Sequence, residues 1–402
     1  MAAQQPGTPR LLRAINDRAV LDLLIARGAL SRPALGELTG LSKPTMSQIL
    51  ARLQRAHLVR PSGSSTGRPG PNATLYEVNP AAAYVGGLDV TPRRIRAGVA
   101  DVTGRTIGVY ELRTPGRAAR DTVERVVKAV DGAAGEAGVA RGQLDRLVVG
   151  TPGAFDPGGQ RLRYARHLPG WHDPQLLPDL QNALELPIEA ENDVNLAAIA
   201  ELALGAAHGS DNFVLLWGEE GVGAAVVIEG RLHRGATGGA GEVGFLPVAG
   251  TPLVRNVGVN NAGGFQELAG GNGVLALARS HGLRARTAEN AVRAALRTPG
   301  RGDAVIAALG TRLAIGLAAI VAVVDPELVI LGGGVFGAGG DRLRAAVQEE
   351  LHSLAVSRPR LELTGVANDP VLNGALQAAL QKTRQRVFHT SDVSTAARAP
   401  LG

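Results

Sequence analysis

Residues 31–71, SRPALGELTGLSKPTMSQILARLQRAHLVRPSGSSTGRPGP, constrain the fold more than any other stretch of the chain. Ser31 and Ser42 are N-cap candidates, each followed two residues later by a proline that a first helical turn tolerates. Gly40 separates the two helices so started. In the second, Met46, Ile49, Leu50 and Leu53 fall at i, i+3, i+4 and i+7, so one face should pack on its neighbour. The opposite face carries Pro44, Thr45, Gln48, Arg52 and Arg55, with Ser42 at the cap and Lys43 and Ser47 at the margins. Hydrogen-bonding side chains suit base edges and cations suit phosphates, which is what a helix lying in a DNA major groove requires. A solvated face on a small helical domain is the alternative.

Strands at 58–60 and 75–78 can pair around a loop at 62–72, completing the order helix, turn, helix, wing. Within that loop Arg68 is flanked by Gly67 and Pro69, on narrow backbone able to carry the guanidinium into a minor groove; an ordinary flexible wing is the competing reading.

Charge favours the DNA reading. Residues 1–80 hold ten Arg and Lys against four Asp and Glu, a surplus equal to the formal net charge of +6 of all 402 residues; residues 81–402 are balanced, 32 against 32. A surplus confined to this segment is the electrostatic footprint expected of a phosphate-binding module. The length allows two or three domains, and 45% hydrophobic residues can furnish sizeable cores. With no cysteine, disulfides and thiolate metal sites are excluded. No uninterrupted apolar run approaches the roughly 20 residues of a membrane span, and the N-terminus lacks a signal-peptide pattern, so the expectation is a cytoplasmic protein with no membrane partner.

Residues 1–9 are polar and should fray. Leu12, Ile15, Ala19, Leu23 and Ala26 then predict the inner face of an amphipathic helix over 11–29. After Asn79-Pro80 the texture changes to strands at 84–89, 94–100 and 106–113, a helix over 119–137 and a strand at 147–149. A similar unit returns with strands at 213–217, 223–228 and 232–234, a nearly uncharged core helix at 304–324 and a strand at 328–331, hinting at two similar halves.

The segments EAENDVNLAAIAE (189–201), GVGAAVVIEGRLHRGATGGAGEVGFLPV (221–248) and VVDPELVILGGGV (323–335), with TPGAFDPGGQ (151–160) and LPGW (168–171), resemble the ROK family, which joins bacterial sugar kinases with sugar-responsive repressors. The resemblance covers nearly the whole chain. It implies a mainly α N-terminal winged helix-turn-helix (1–80), then an α/β actin-like ATPase or sugar-kinase-like domain with lobes at 81–200 and 201–388. Residues 389–402 would form a disordered tail. The oligomerisation surface would lie in the second lobe, giving a homodimer or dimer of dimers.

The resemblance also implies a sugar site between the lobes, with Asn192, Asp193, Glu242 and Glu267 as hydroxyl ligands and Gly153 and the segment before Trp171 lining the cleft. Read without the family, Asn192-Asp193 is a helix N-cap.

Two departures from the family bear on chemistry. The kinase branch carries an aspartate, a glycine pair and a threonine on its first hairpin; here the text is Asp89-Val90-Thr91-Pro92-Arg93, and no Walker-type loop occurs elsewhere. Asp193 matches the kinase base, but without a phosphate cradle the chain is expected to be no enzyme and to need no cofactor. The family's structural zinc would be held at Phe245, Gly258, Asn260 and Phe265, none of them a zinc ligand, so no metal is expected. The leading expectation is a repressor that binds a double-stranded DNA operator under control of a sugar or related effector. An effector-independent regulator with a degenerate cleft, and a sugar kinase with an attached DNA domain, are the alternatives.

Overall fold

The computed structural model describes residues 9–64, 73–114, 121–156, 161–163, 168, 170–171, 173–253, 255 and 263–389. It opens with helix α1 (Pro9–Arg27), short strand β1 (Leu30–Ser31), helices α2 (Arg32–Thr39) and α3 (Lys43–Arg55), and strands β2 (Val59–Ser64) and β3 (Thr74–Val78). The three strands form a sheet in the order β1-β3-β2, the winged helix expected from sequence. The Ser31 and Ser42 hydroxyls accept the N–H groups of Ala34 and Thr45 as N-caps, and Gly40 ends α2 in the left-handed region at φ +69°.

The inner face of α1 lies on a different side from the one its apolar spacing predicts. Leu12 and Ile15 are each more than half exposed, whereas Asp17, Val20, Leu21 and Leu24 are buried. These four follow helical spacing as well, and the pattern was obscured because its first member is a carboxylate. Asp17 receives Nε of Arg52 at 2.8 Å, and a second guanidinium nitrogen completes a bidentate pair. The pair lets α1 turn this face to α3, where Met46, Ile49, Leu50 and Leu53 are buried as predicted.

The first lobe comprises β4 (Tyr84–Val90), β5 (Arg94–Asp101), β6 (Thr106–Arg113), α4 (Thr122–Glu136), β7 (Leu144–Thr151), β8 (Ala154–Asp156), β9 (Arg161–Arg163), α5 (Leu176–Leu184), β10 (Ile188–Asn192) and α6 (Asp193–Leu204). The second comprises β11 (Phe213–Gly218), β12 (Val222–Ile228), β13 (Arg231–His233), α7 (Gly264–Ala269), α8 (Gly271–Ser280), α9 (Ala288–Leu296), α10 (Arg301–Val324), β14 (Leu328–Gly332), α11 (Gly334–Leu354) and β15 (Arg360–Leu363); α12 (Pro370–Val387) follows.

The recurrence anticipated from sequence is a recurrence of topology. One five-stranded sheet runs β10-β7-β4-β5-β6 and the other β15-β14-β11-β12-β13. In each, the first strand pairs antiparallel with the hairpin that follows and parallel with the strand on its other side. Helix α10 has the length and hydropathy of a membrane span, but Val305, Leu309, Leu313, Leu317 and Val321 line one side of it inside the second-lobe core.

The return of α12 departs from the lobe boundaries read from sequence. Its Leu372, Ala375, Leu376, Ala379 and Leu380 pack with Val85, Ala100, Val148 and Leu196, so residues 370–387 cover the first-lobe sheet. Gly374 is required there: a Cβ would sit 1.8 Å from the Leu196 carbonyl oxygen of α6. At its far end α12 meets the winged helix. Phe388 and Val102 join the α1–α3 core, Arg18 donates to the Arg384 carbonyl at 3.0 Å and lies over the Phe388 ring at 5.3 Å, and Arg384 Nε donates to the Val102 carbonyl at 2.9 Å.

Candidate functional site

Two surfaces carry the residues singled out in the sequence. The first is the outer face of α3. Ser42, Lys43, Gln48 and Arg55 are exposed, and Thr45 and Ser47 are half-buried beside them. The Ser42 and Thr45 hydroxyls lie 2.8 Å apart, and Ser47 Oγ donates to the Lys43 carbonyl while accepting Nη1 of Arg32 at 3.1 Å. Arg32 is an exposed cation that the sequence reading passed over because it lies in α2; only its place directly before Pro33 marks it as the start of a helix.

Arg52 does not join this face as a reader. Its guanidinium is turned inward onto Asp17, which is 1% exposed, and that hydrogen bond raises the arginine pKa. Arg68 lies outside the described residues, as do residues 390–402 of the expected tail and positions Gly258 and Asn260.

The second surface is a cleft of about 750 Å³ between the lobes. The β4–β5 turn, Pro152-Gly153 and the start of α6 line one side; Trp217 to Ala224, Glu242, Phe245 and Gln266 line the other. Asn192 and Asp193 stand where β10 passes directly into α6. The Asn192 side chain caps the helix by accepting the Asn195 N–H at 3.0 Å and donates to the Gly153 carbonyl at 3.1 Å, so both ends of its amide are engaged. Glu191 supports this corner: it accepts Nδ2 of Asn195 at 2.9 Å and pairs with Arg234 of the opposite lobe at 2.6 Å.

Asp193 accepts the Val194 N–H at 2.8 Å. Burial pushes its carboxyl up to about 7; the Val194 bond opposes the rise, and the charges of Glu219, Asp89 and Glu242 reinforce it. Glu242, held by the Ala224 N–H to Gly241 carbonyl bond at 2.9 Å, faces the same space without capping the turn that follows it, and burial raises its pKa. Asp89 is buried beside Arg94 at 3.0 Å, and desolvation outweighs that partner to raise its pKa too.

Glu267, expected in this set, is exposed and absent from the cleft wall. Its neighbour Gln266 takes the place: Oε1 accepts the Val222 N–H at 2.9 Å and Nε2 donates to the Glu220 carbonyl at 3.3 Å. The turn of α7 that buries Phe265 against Gly316 sends residue 266 to the cleft and residue 267 to solvent. Leu168 and Trp171 belong to the first-lobe core rather than the cleft.

The raised Asp193 pKa has a thermodynamic consequence. Because the folded state holds this proton more tightly than the unfolded chain, the group's contribution to stability is present below pH 4 and is lost as pH rises through about 7. Asp193→Asn removes that dependence. The variant is expected to gain on the wild type as pH rises from 4 to 7 and to hold a constant advantage above about 8. Urea unfolding across this range measures the difference; equal pH profiles would remove the shift.

The family model "ROK family" matches residues 85–382, and a model for winged helix-turn-helix DNA-binding matches residues 13–60. The xylose repressor of Bacillus subtilis is 24% identical over 237 residues, 59% of this chain and 61% of the repressor, so less than two thirds of that relative is matched. The ROK hexokinase of Thermus thermophilus is 28% identical, with a TM-score of 0.65 over 75% of this chain and 99% of the hexokinase. A ROK family transcriptional regulator, homologous to the E. coli MLC protein, superposes with a TM-score of 0.74 over 94% of this chain and 97% of its own at 18% identity, a likeness of fold that takes in the winged helix. With its two-lobed region matched almost end to end, the chain belongs to the ROK family.

Proposed function

We propose that this protein is a cytoplasmic, sugar-responsive transcriptional repressor without kinase activity, acting as a homodimer or dimer of dimers. The observation that carries the reading is one continuous connection. The cleft residues Asn192 and Asp193 open α6, α6 packs intimately on α12, and α12 ends against the core of the winged helix through Arg384 and Phe388. A ligand that favours one arrangement of the lobes is thereby coupled to the position of α3, to the extent of its differential affinity for the two arrangements. The relatives are of both kinds, a xylose repressor and a hexokinase, and the winged helix favours the repressor role.

Each subunit would place α3 in one major-groove half-site, with partner half-sites one or a few turns of about 34 Å apart. Ser42, Thr45 and Gln48 would reach bases or the adjoining backbone, Lys43, Arg55 and Arg32 would meet phosphates, and Arg68 would enter the flanking minor groove. Gln48→Ala is expected to relax specificity at one base position, at a cost of about 1–3 kcal/mol on the preferred sequence. Lys43→Ala should instead weaken all sequences alike and reduce the salt slope by about 1. Binding titrations on a randomised operator library at two salt concentrations separate the two, and an equal loss on every sequence from both variants would make Gln48 a backbone contact.

Against phosphotransfer stands the β4–β5 turn, where Pro92 and Arg93 occupy the place at which bare backbone would need to approach a nucleotide. ATP turnover with any hexose, abolished by Asp193→Asn, would overturn that part of the reading.

A further inference from the structure

Glu242 reaches the cleft on a loop with little side-chain mass of its own. From Arg234 to Glu242 the chain reads RGATGGAGE, and residues 234–237 are exposed. Gly235, Gly238 and Gly241 have φ of +71°, +77° and +95°, and a Cβ on Gly241 would come 2.0 Å from the Ala224 carbonyl oxygen. Backbone bonds close this loop on itself: the N–H groups of Ala240, Glu242 and Val243 donate to the carbonyls of Arg234 at 3.1 Å, Gly239 at 3.3 Å and Gly241 at 2.7 Å. With so few side chains to pack, its place in the cleft is set by its stems. One stem is the Ala224 bond to Gly241, and the other is the Arg234 side chain.

Arg234 directly follows β13, the edge strand of the second-lobe sheet, and Glu191 lies on β10, the edge strand of the first-lobe sheet. Nε of Arg234 donates to Oε2 of Glu191 at 2.6 Å. The other carboxylate oxygen accepts the Asn192 N–H at 3.0 Å and Nδ2 of Asn195 at 2.9 Å. One carboxylate therefore holds the corner that presents Asn192 and Asp193 with one oxygen, and the loop that presents Glu242 with the other. Neither Glu191 nor Arg234 belongs to the cleft wall among the described residues, so the pair acts on what lines the cleft rather than on its contents.

We propose that Arg234 is a positioning residue for ligand recognition: its bond to Glu191 ties the Glu242 loop of the second lobe to the Asn192-Asp193 corner of the first, so that a ligand meets acceptors from both lobes already in register. The inference rests on the cleft being the ligand site of the proposed function. A ligand that bridges the lobes binds in proportion to the fraction of molecules in which both acceptors stand ready, and the tether raises that fraction. The Glu191 side chain is 14% exposed and that of Arg234 is 49% exposed, so the cation reaches in from solvent and its loss leaves the fold intact.

The test compares the full-length wild type with Arg234→Ala, Arg234→Lys, Glu191→Gln and the double variant Arg234→Ala/Glu191→Gln. Hydrogen exchange followed by mass spectrometry reads the loop with no ligand added. In Arg234→Ala the amides of Ala240, Glu242 and Val243 are expected to exchange about threefold to tenfold faster, while those of α1–α3 keep their rates. Isothermal titration with glucose, xylose and N-acetylglucosamine reads the consequence for binding: a sugar bound by the wild type should bind Arg234→Ala at least about threefold more weakly. Arg234→Lys, which returns a cation without the guanidinium, should recover part of both effects. Glu191→Gln removes the charge but keeps an oxygen for Asn192 and Asn195, and it should act as Arg234→Ala does. The double variant should be no worse than either, because both changes break one bond. Unchanged exchange of the loop in Arg234→Ala overturns the proposal, as do losses that sum in the double variant or a sugar affinity that holds after the loop has loosened. A loosened loop in a protein whose wild type binds none of the sugars supports the tether and counts against the sugar reading; sugar binding with a loop indifferent to Arg234→Ala does the reverse.

Discussion

Arg52→Ala is expected to destabilise the winged helix by about 2–4 kcal/mol, because it takes the bidentate guanidinium away from the buried Asp17 carboxylate. The upper part of the range for broken buried pairs is discounted here, since the arginine side chain is 30% exposed while the aspartate is 1% exposed. Arg52→Lys should recover only part of the loss, as an ammonium cannot reproduce the bidentate geometry. DNA affinity should fall in proportion to the unfolded fraction, and stabilising solutes should restore it. Urea unfolding followed by far-UV circular dichroism, alongside operator binding, distinguishes this from base readout. An unchanged midpoint with lost affinity would return Arg52 to the DNA face.

Glu201→Ala carries the other large effect, about 3–5 kcal/mol, because the side chain is 1% exposed and anchors four donors at once. It accepts the N–H groups of Ala206 at 2.8 Å, Gly365 at 3.1 Å and Val366 at 3.2 Å, together with the Thr364 hydroxyl. These donors lie at the end of α6 and in the chain after β15, so one carboxylate fastens the helix that begins at the cleft to the second lobe. Glu201→Gln, which keeps an acceptor but also presents an amide to N–H groups, should lose less. Thermal unfolding would show the effect, and a loss below about 1 kcal/mol would mean that water replaces the carboxylate.

Much of this architecture was legible in the sequence because its signals are local. Serine caps, a glycine stop and an i, i+3, i+4, i+7 stripe specify α2 and α3 without reference to the rest of the chain, and alternating strands with glycine turns specify both hairpins. What escaped reading depends on partners far apart in sequence. The inner face of α1 is set by Asp17, whose burial makes sense only once Arg52, 35 residues on, is known to reach it. That one pair bears on two expectations: the inner face of α1 and the place of Arg52 on the DNA face. The exchange of Glu267 for Gln266 in the cleft wall turns on how Phe265 is buried, and a one-residue rotation of a short helix leaves no mark in spacing. Glu219 and Glu220 were passed over for a similar reason. They form an exposed turn between a strand and a glycine, and only the fold sets that turn in the cleft wall, with the start of α11, more than a hundred residues later, against the end of β11. The helix-cap reading of Asn192 and the ligand reading of the same corner are both compatible with the structure: Asn192 spends its amide on the cap and Gly153, and the carboxylate of Asp193 faces the cleft.

If occupancy of the cleft governs the grip of α3 on DNA, titration of neutral sugars into a complex of the full-length protein with its selected operator will register it. At least one sugar is expected to change operator affinity by about tenfold or more, within the range usual for allosteric coupling, and Glu242→Ala is expected to abolish the response while leaving sugar-free operator binding intact. A complex whose affinity no sugar alters, in the wild type and in Glu242→Ala alike, would contradict it.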